Sequence, residues 1–183
     1  MRSLLKDQRG SVLLELAFAL PIMMLIIFGG VELTRFLLNA QKINRVAMST
    51  ADLVSQSRRV SEADIQNMFR ASQAVMGNET ITTRGNVIIS SVTRTGDDPP
   101  QVRWQRDSKG GHNGKSSVGS EGAAATLPTD VVLDAGDGVI VVEVYYEHRP
   151  LLFDTVVGDQ DIYQIAFFRP RFGTLEEVEG NNG

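Results

Sequence analysis

The chain has 183 residues, a formal net charge of −4 and no cysteine. Without cysteine it can form no disulfide, no thiolate metal site and no cysteine nucleophile. Its 18 lysines and arginines are scattered along an acidic sequence, which argues against nucleic acid as a partner. Setting aside about 35 residues for an apolar N-terminal segment leaves enough chain for one small domain.

The first predicted element is an apolar helix from Val12 to Val31, in which Glu15 is the single charged residue. At a rise of ~1.5 Å per residue, a helix of this length crosses a ~30 Å hydrocarbon layer. A carboxylate inside hydrocarbon costs ~2.5 kcal/mol or more unless it finds a partner. Glu15 therefore requires either a partner inside the membrane, or a position at the membrane edge where the helix N-terminal dipole stabilises it.

The apolar segment could be a cleaved secretory signal, a permanent anchor, or a segment trimmed ahead of its apolar run. The small-x-small triplet Ala17-Phe18-Ala19 lies only a few residues into the run, and cleavage there would leave Leu20 to Val31 on the product. We therefore predict that the whole segment is retained. Arg2, Lys6 and Arg9 favour a cytoplasmic leader and an exported C-terminal domain.

The helix is predicted to continue to about Ser57, with a bend at Pro21, because apolar residues keep recurring three and four positions apart. Ser61 and Asp64 form a capping pattern that predicts a second helix from Glu62 to Met76. The continuing apolar face of the first helix consists of Phe36, Ala40, Ile43, Ala47, Ala51 and Val54.

Beyond Gly77 the apolar period changes to the alternation of strands. Because the helices come first and the strands follow, we predict an α+β fold with an antiparallel sheet of about four strands packed on the helices. Trp104 and the pair Tyr145 and Tyr146 are predicted to pack on the sheet. The predicted strands are Val87 to Thr93, Gln101 to Gln105, Val139 to His148 and Ile162 to Arg169.

Three finer expectations concern the surface. The segment 107–126 is rich in Gly, Ser and Ala, which predicts a mobile loop with little to bury. The tail that contains Glu176, Glu177 and Glu179 is expected to be solvated and frayed. In the strand from Val139, alternation places Ile140, Val142, Val144 and Tyr146 in the core, and Val141, Glu143, Tyr145 and Glu147 outside.

No pattern in the sequence supports catalysis, a cofactor or a metal. His112 lies in the glycine-rich segment, and His148 follows a strand and is interpreted as a surface residue. There is no phosphate loop, no His-Glu-x-x-His and no nucleophile elbow. The four aspartates that could cluster around calcium lack EF-hand spacing and are better explained as turn formers; they are Asp134, Asp137, Asp159 and Asp161.

The start of the chain resembles the leader of type IV pilins, in which a prepilin peptidase cuts after a glycine and a glutamate stands at the fifth mature position. The resemblance implies that Gly10 and Ser11 flank the processing site, and that Glu15 acts in assembly. The residues that carry it are Arg9-Gly10-Ser11-Val12-Leu13-Leu14-Glu15.

Two further stretches resemble TadE/TadF-like proteins of bacterial tight-adherence (Tad/Flp) pilus systems. Looser similarity continues at Ala51-Asp52-Leu53-Val54, at Gly136-Asp137-Gly138 and at Arg169-Pro170-Arg171. Major Flp pilins are much shorter and typically have Glu-Tyr where this chain has Glu15-Leu16, so the resemblance implies a minor pilin, or pseudopilin. The two stretches are Glu15-Leu16-Ala17-Phe18-Ala19-Leu20-Pro21 and Gly29-Gly30-Val31-Glu32-Leu33.

The resemblance also implies a domain plan and a set of partners. Residues 1–10 would be a leader, residues 11–35 a transmembrane segment in the bacterial inner membrane, and residues 36–183 a domain in the periplasm. The partners would be the prepilin peptidase, other Tad pilins and pilus assembly components, with a role in assembly and surface adherence.

Cleavage after Gly10 would place a new cationic amine on Ser11, about one helical turn from Glu15. In an assembling bundle, Glu15 of one subunit could meet that amine of a neighbour, which would offset the desolvation of both charges and set their register. The alternatives are an uncleaved anchored periplasmic protein that binds or scaffolds a partner and, more remotely, an anchored enzyme.

Overall fold

The computed structural model describes residues 9–151 and 158–180, with the backbone alone described at residues 9, 10 and 78–80. The predicted leader charges Arg2 and Lys6 lie outside the described residues. The chain forms the predicted α+β arrangement, in which a long N-terminal helix and a second helix accompany an antiparallel four-stranded sheet.

The first helix, α1 (Arg9–Ser55), runs without interruption for 47 residues and includes Pro21. Its second half packs on the sheet, and the predicted apolar face is confirmed. Ile43, Ala47, Ala51 and Val54 are fully buried, and Phe36 and Ala40 pack against them. The bend expected at Pro21 stays a prediction.

A short strand, β1 (Val60–Ser61), leads into α2 (Glu62–Met76), whose bounds are as predicted. The capping box is present: the Asp64 N–H donates to Ser61 Oγ over 3.2 Å, and the Ser61 N–H donates to Asp64 Oδ2 over 3.0 Å. Hydrogen bonds from the Ser61 hydroxyl and backbone hold the pKa of the Asp64 carboxyl below its ordinary value. These contacts satisfy amide groups that a helix start leaves unpaired.

A third helix, α3 (Asn78–Arg84), was not predicted from the sequence. Its seven residues are too few to show a helical period, and threonines give it little intrinsic helix preference. Ile81 is buried in the main core, and tertiary packing at that side chain stabilises the short helix.

The sheet has the order β3-β2-β4-β5 and is antiparallel throughout. All four predicted strands are confirmed, each within about two residues of its predicted bounds. Its α1 face carries the main core, in which Trp104 and Tyr146 are buried as expected. The strands are β2 (Gly85–Thr93), β3 (Gln101–Asp107), β4 (Gly138–His148) and β5 (Gln160–Phe168).

The opposite face of the sheet is also covered, contrary to the prediction that the segment 107–126 has little to bury. Val118 of this segment is buried in a second apolar cluster with Val141, and Glu143 is buried as well. The outward positions predicted for Val141 and Glu143 are therefore wrong, because the segment folds back over them. The mobility of the segment stays a prediction.

Glycine allows this segment to lie close to the sheet. A Cβ at Gly114 would stand 2.5 Å from Cγ of Tyr145, and one at Gly110 would stand 1.9 Å from the Gly85 carbonyl oxygen. Both distances are shorter than any side chain tolerates. Here glycine serves close approach of the backbone as well as conformational freedom.

The C-terminal tail returns to the domain. Leu175 is 3% exposed, and its carbonyl accepts hydrogen bonds from Trp104 Nε1 over 2.8 Å and from Ser91 Oγ over 2.6 Å. The last strand, β6 (Val178–Glu179), pairs in parallel with β1. Glu176, Glu177 and Glu179 are exposed as expected, but the prediction of a frayed tail is wrong up to Glu179 because strand pairing holds it.

Candidate functional site

The residues predicted to act in processing and assembly lie at the start of α1. Gly10, Ser11 and Glu15 all have helical backbone, and the four positions from Ser11 to Glu15 correspond to a rise of about 6 Å. Ser11 and Glu15 are exposed. Among the described residues, 9–151 and 158–180, no hydrogen-bond or ion-pair partner contacts Glu15.

The helix surface around Glu15 is apolar and uncovered. The most apolar window of α1 has a mean hydropathy of 2.5, and none of that window is buried against the rest of the chain. A helix this long and apolar fits a membrane anchor. The fold therefore leaves Glu15 on an exposed apolar surface of the helix.

A polar junction follows the apolar run and connects α1 to the end of β4. Glu32 Oε1 lies 3.2 Å from His148 Nε2, and Glu32 Oε2 accepts the Leu151 N–H over 2.9 Å. On the other side of the ring, Asn39 Nδ2 lies 3.0 Å from His148 Nδ1. The neutral tautomer that accepts a hydrogen bond from the Asn39 amide at Nδ1 carries its proton on Nε2, which donates a hydrogen bond to Glu32.

This junction overturns the interpretation of His148 as a surface residue. His148 is 2% exposed, and the ring of Phe36 meets it edge-on with centroids 5.4 Å apart. The strand pattern could not show this burial, because it depends on α1 crossing the end of β4. The contacts of Glu32 and His148 attach the end of β4 to α1 directly after the apolar run of the helix.

Glu143 forms a second polar centre, on the face of the sheet away from α1. Its carboxylate is fully buried and accepts hydrogen bonds from the Ser117 N–H over 2.8 Å, the Ser117 hydroxyl over 2.7 Å and the Tyr163 hydroxyl over 2.8 Å. The Ser116 hydroxyl donates to the other carboxylate oxygen. These donors satisfy the buried carboxylate and attach the segment 107–126 to the sheet.

The ring contacts around this centre extend the attachment. Tyr145 donates its hydroxyl to the Lys115 carbonyl over 2.6 Å, and its ring stacks on His112 with centroids 5.4 Å apart. His112 Nε2 lies 3.1 Å from Asp161 Oδ1. The contacts of His112 and Glu143 attach the segment 107–126 to the strands of the sheet. The sequence did not predict the role of Glu143, because a single glutamate in an alternating strand gives no sign of burial.

Alkaline pH is expected to weaken this attachment. Burial raises the pKa of the Tyr163 phenol well above its ordinary value, and burial also raises the pKa of Tyr145. In the unfolded chain these phenols ionise near pH 10, so the folded form binds more protons above that pH. Stability is then complete below about pH 10 and falls as pH rises toward the folded pKa.

The check is a pH series from 7 to 12 on the detergent-solubilised chain, with phenolate absorbance and Trp104 circular dichroism recorded together. We expect phenolate from the buried tyrosines to form only as the Trp104 signal is lost. Free titration of all three tyrosines near pH 10 with an unchanged Trp104 signal would contradict the assignment.

The four candidate calcium aspartates have other contacts. Asp137 Oδ2 accepts the Asp134 N–H over 3.3 Å and contacts Arg169 over 3.1 Å, and Asp159 lies 3.6 Å from Arg149. The turn role predicted for Asp134 and Asp137 is confirmed by these bonds. Within residues 9–151 and 158–180, no three His, Asp or Glu side chains stand close enough to hold a metal ion.

Comparison with known proteins finds a family match that covers most of α1. Residues 10–52, less than a quarter of the chain, match the family model of TadE-like proteins. The matched region includes Gly10, Ser11 and Glu15 and ends just before α1 does. Neither a curated protein nor a solved structure matches the chain.

Proposed function

We propose that this TadE-like chain is a minor pilin, or pseudopilin, of a Tad/Flp pilus. In this proposal a prepilin peptidase removes residues 1–10, and the processed chain supports pilus assembly and surface adherence by association, with no reaction of its own. The observation that supports it most is an unpartnered Glu15 on an uncovered apolar helix, one turn after Gly10 and Ser11, within a TadE-like segment.

Processing changes the charge at the start of the helix. Hydrolysis adds water across the Gly10–Ser11 peptide bond and leaves a carboxylate on Gly10 and a cationic amine on Ser11. The helical turn around this bond unwinds easily, because Gly10 lies in the first turn of α1 and glycine lowers helix stability by about 1 kcal/mol relative to alanine. A peptidase could therefore bind the segment without unfolding the apolar run.

The new amine supplies the partner that Glu15 lacks. A lone carboxylate or ammonium in hydrocarbon is costly, whereas the two groups in contact neutralise each other. Within one helix the amine lies about 6 Å along the axis from Glu15, so the close contact is proposed between neighbouring copies. Because the two groups lie at different heights along each helix, contact between Glu15 of one copy and the Ser11 amine of another would set the stagger between adjacent helices.

The remaining chain suits the proposed placement. Residues 11–35 would cross the bacterial inner membrane, and residues 36–183 would form the periplasmic domain. The Glu32–His148 junction lies directly after the apolar run, so the folded domain begins where the membrane would end. The proposed partners are the peptidase, other Tad pilins and the pilus assembly components.

The mature N-terminus tests the proposal. Intact-mass measurement of the full chain, purified from cells that contain the matching peptidase, is expected to show a start at Ser11. A Gly10→Val variant should keep its leader, because a branched side chain crowds the cleaved bond. Gly30→Ala is the matched control, since a Cβ at Gly30 meets no atom within 4 Å and processing should be normal.

An intact leader on every molecule in the native host would overturn the pilin proposal. That result would favour the alternative of an uncleaved anchor whose periplasmic domain binds or scaffolds a partner. Cleavage of Gly10→Val as fast as the parent chain would show that Gly10 does not define the site.

A further inference from the structure

Three arginines from separate elements converge on one cleft beside the start of the folded domain. Arg35 comes from α1, Arg84 from the end of α3, and Arg149 from the residue after β4. The cleft has a volume of about 410 Å³ and is completed by Pro150, Leu151 and Asp159. We call it the arginine cleft.

Among the described residues, the arginines that line the cleft outnumber the carboxylates that line it. Asp159 is the one described carboxylate in the lining, and Arg149 contacts both Asp159 and Glu147. Arg84 forms no ion pair within the described part of the chain. An anion that enters the cleft would therefore meet the guanidinium group of Arg84, which no described carboxylate pairs.

Arg35 adds a buried donor to this excess of charge. It approaches Glu32 over 3.6 Å, beyond hydrogen-bond distance, and its Nη1 is buried without a hydrogen-bond partner among residues 9–151 and 158–180. A buried donor of this kind is costly until it is satisfied. Planar guanidinium groups pair with phosphate through two parallel hydrogen bonds, which neutral ligands cannot offer.

The position of the cleft just after the apolar run points to a membrane lipid as the source of a phosphate ligand. Arg35 stands one helical turn after Val31, where the apolar run ends, so it lies at the level of lipid headgroups when that run spans the hydrocarbon. Leu151, which is 66% exposed, and Pro150 give the cleft an apolar rim. Arginine above an apolar surface is a common arrangement at the membrane interface.

We propose that the arginine cleft binds the headgroup phosphate of an anionic membrane lipid. Occupancy neutralises Arg84, gives the buried Nη1 of Arg35 a hydrogen-bond acceptor, and holds the domain at a fixed depth and rotation on the membrane surface. The inference rests on α1 being a membrane anchor and is independent of leader processing and of pilus assembly.

The test uses the full chain in dodecyl maltoside micelles. Because the sequence has no cysteine, a Leu151→Cys variant carries one environment-sensitive fluorophore at the rim of the cleft. Short-chain phosphatidylglycerol is titrated against short-chain phosphatidylcholine, and inorganic phosphate is titrated alone. We expect saturation by phosphatidylglycerol at a concentration at least fivefold lower than by phosphatidylcholine, and no saturation by inorganic phosphate.

The variant that removes the site is Arg35→Gln with Arg84→Gln. Each arginine near a membrane surface contributes about fivefold to binding of anionic lipid, so the pair should weaken binding of phosphatidylglycerol about thirtyfold. Arg58→Gln with Arg59→Gln is the matched control, because it removes the same charge beyond the far end of α1, about 30 Å away along the helix. The control should bind like the parent.

Several results would overturn the proposal. Equal affinity for the two lipids, or an equal loss in the control variant, would reduce the effect to general charge attraction. Saturation by inorganic phosphate alone would assign the cleft to a soluble anion. If the double variant does not fold, as judged by Trp104 circular dichroism, Arg84→Gln alone should still lose about fivefold, and an unchanged affinity would reject the site.

Discussion

A Glu15→Ala variant is expected to insert in the membrane normally but to enter pili at least tenfold less than the parent chain. In the proposed pairing, removing the carboxylate would leave the Ser11 amine of the neighbouring copy alone in the apolar surface, at a cost of ~2.5 kcal/mol or more. The apolar window of α1 is otherwise unchanged, so anchoring should persist. The measurement is quantitative immunoblotting of membranes and of sheared pili from the same cells.

Two companion variants separate charge from shape at this position. Glu15→Gln keeps the size of the side chain without its charge, and it should enter pili as poorly as Glu15→Ala. Glu177→Ala removes an exposed glutamate from the C-terminal tail, and its piliation should match that of the parent. Unchanged pilus number and composition in Glu15→Ala would reject the pairing mechanism while leaving leader processing untouched.

A Glu143→Ala variant is expected to lower the free energy of unfolding by about 3 kcal/mol. Hydrogen bonds to a buried charged group contribute about 1.5–3 kcal/mol each, but part of this is offset when the freed hydroxyls of Ser116, Ser117 and Tyr163 reach water. The measurement is denaturant unfolding of the full chain in detergent, followed by Trp104 fluorescence. Hydrogen exchange of the Ser117 amide should accelerate in parallel.

Glu147→Ala is the control for this prediction. Glu147 lies four residues further along β4, on the same face of the strand, and its contact with Arg149 is at the surface. Its removal should change the free energy of unfolding by less than about 1 kcal/mol, as for exposed ion pairs. Equal effects of the two substitutions would show that Glu143 is not a special attachment point.

Where a repeating pattern spans a whole element, the sequence was a reliable guide. The three- and four-residue spacing from Phe36 to Val54 predicted the packed face of α1, and Ser61 with Asp64 predicted the start of α2. The alternation in β4 placed Val142 and Tyr146 in the core correctly. Periodicity and capping are local properties, so they are readable without knowing the fold.

Patterns failed where burial depends on a distant segment. Glu143 was predicted to face outward, but Ser116 and Ser117 cover it and bind its carboxylate. His148 was interpreted as a surface residue, but Asn39 and Glu32 of α1 contact its ring. The tail that contains Glu176 was predicted to be frayed, but the Leu175 carbonyl accepts the Trp104 indole N–H and β6 pairs with β1. None of these partners is near in sequence.

The arginine cleft is a further example of a feature that no local pattern announces. Arg35, Arg84 and Arg149 are far apart in the chain, and each by itself resembles an ordinary surface charge. They converge because α3 and the end of β4 both lie beside the point where α1 leaves its apolar run. A charge cluster of this kind is a product of topology.

The sequence by itself determined the long apolar helix with its lone Glu15 and the order of the two long helices and the four strands of the main sheet; processing at Gly10 and Ser11 stays a prediction. These follow from composition, spacing and period along the chain. The tertiary structure alone decided which polar groups are buried, because burial depends on what packs against each residue after folding. It thereby revealed the Glu143 centre, the Glu32–His148 junction and the arginine cleft.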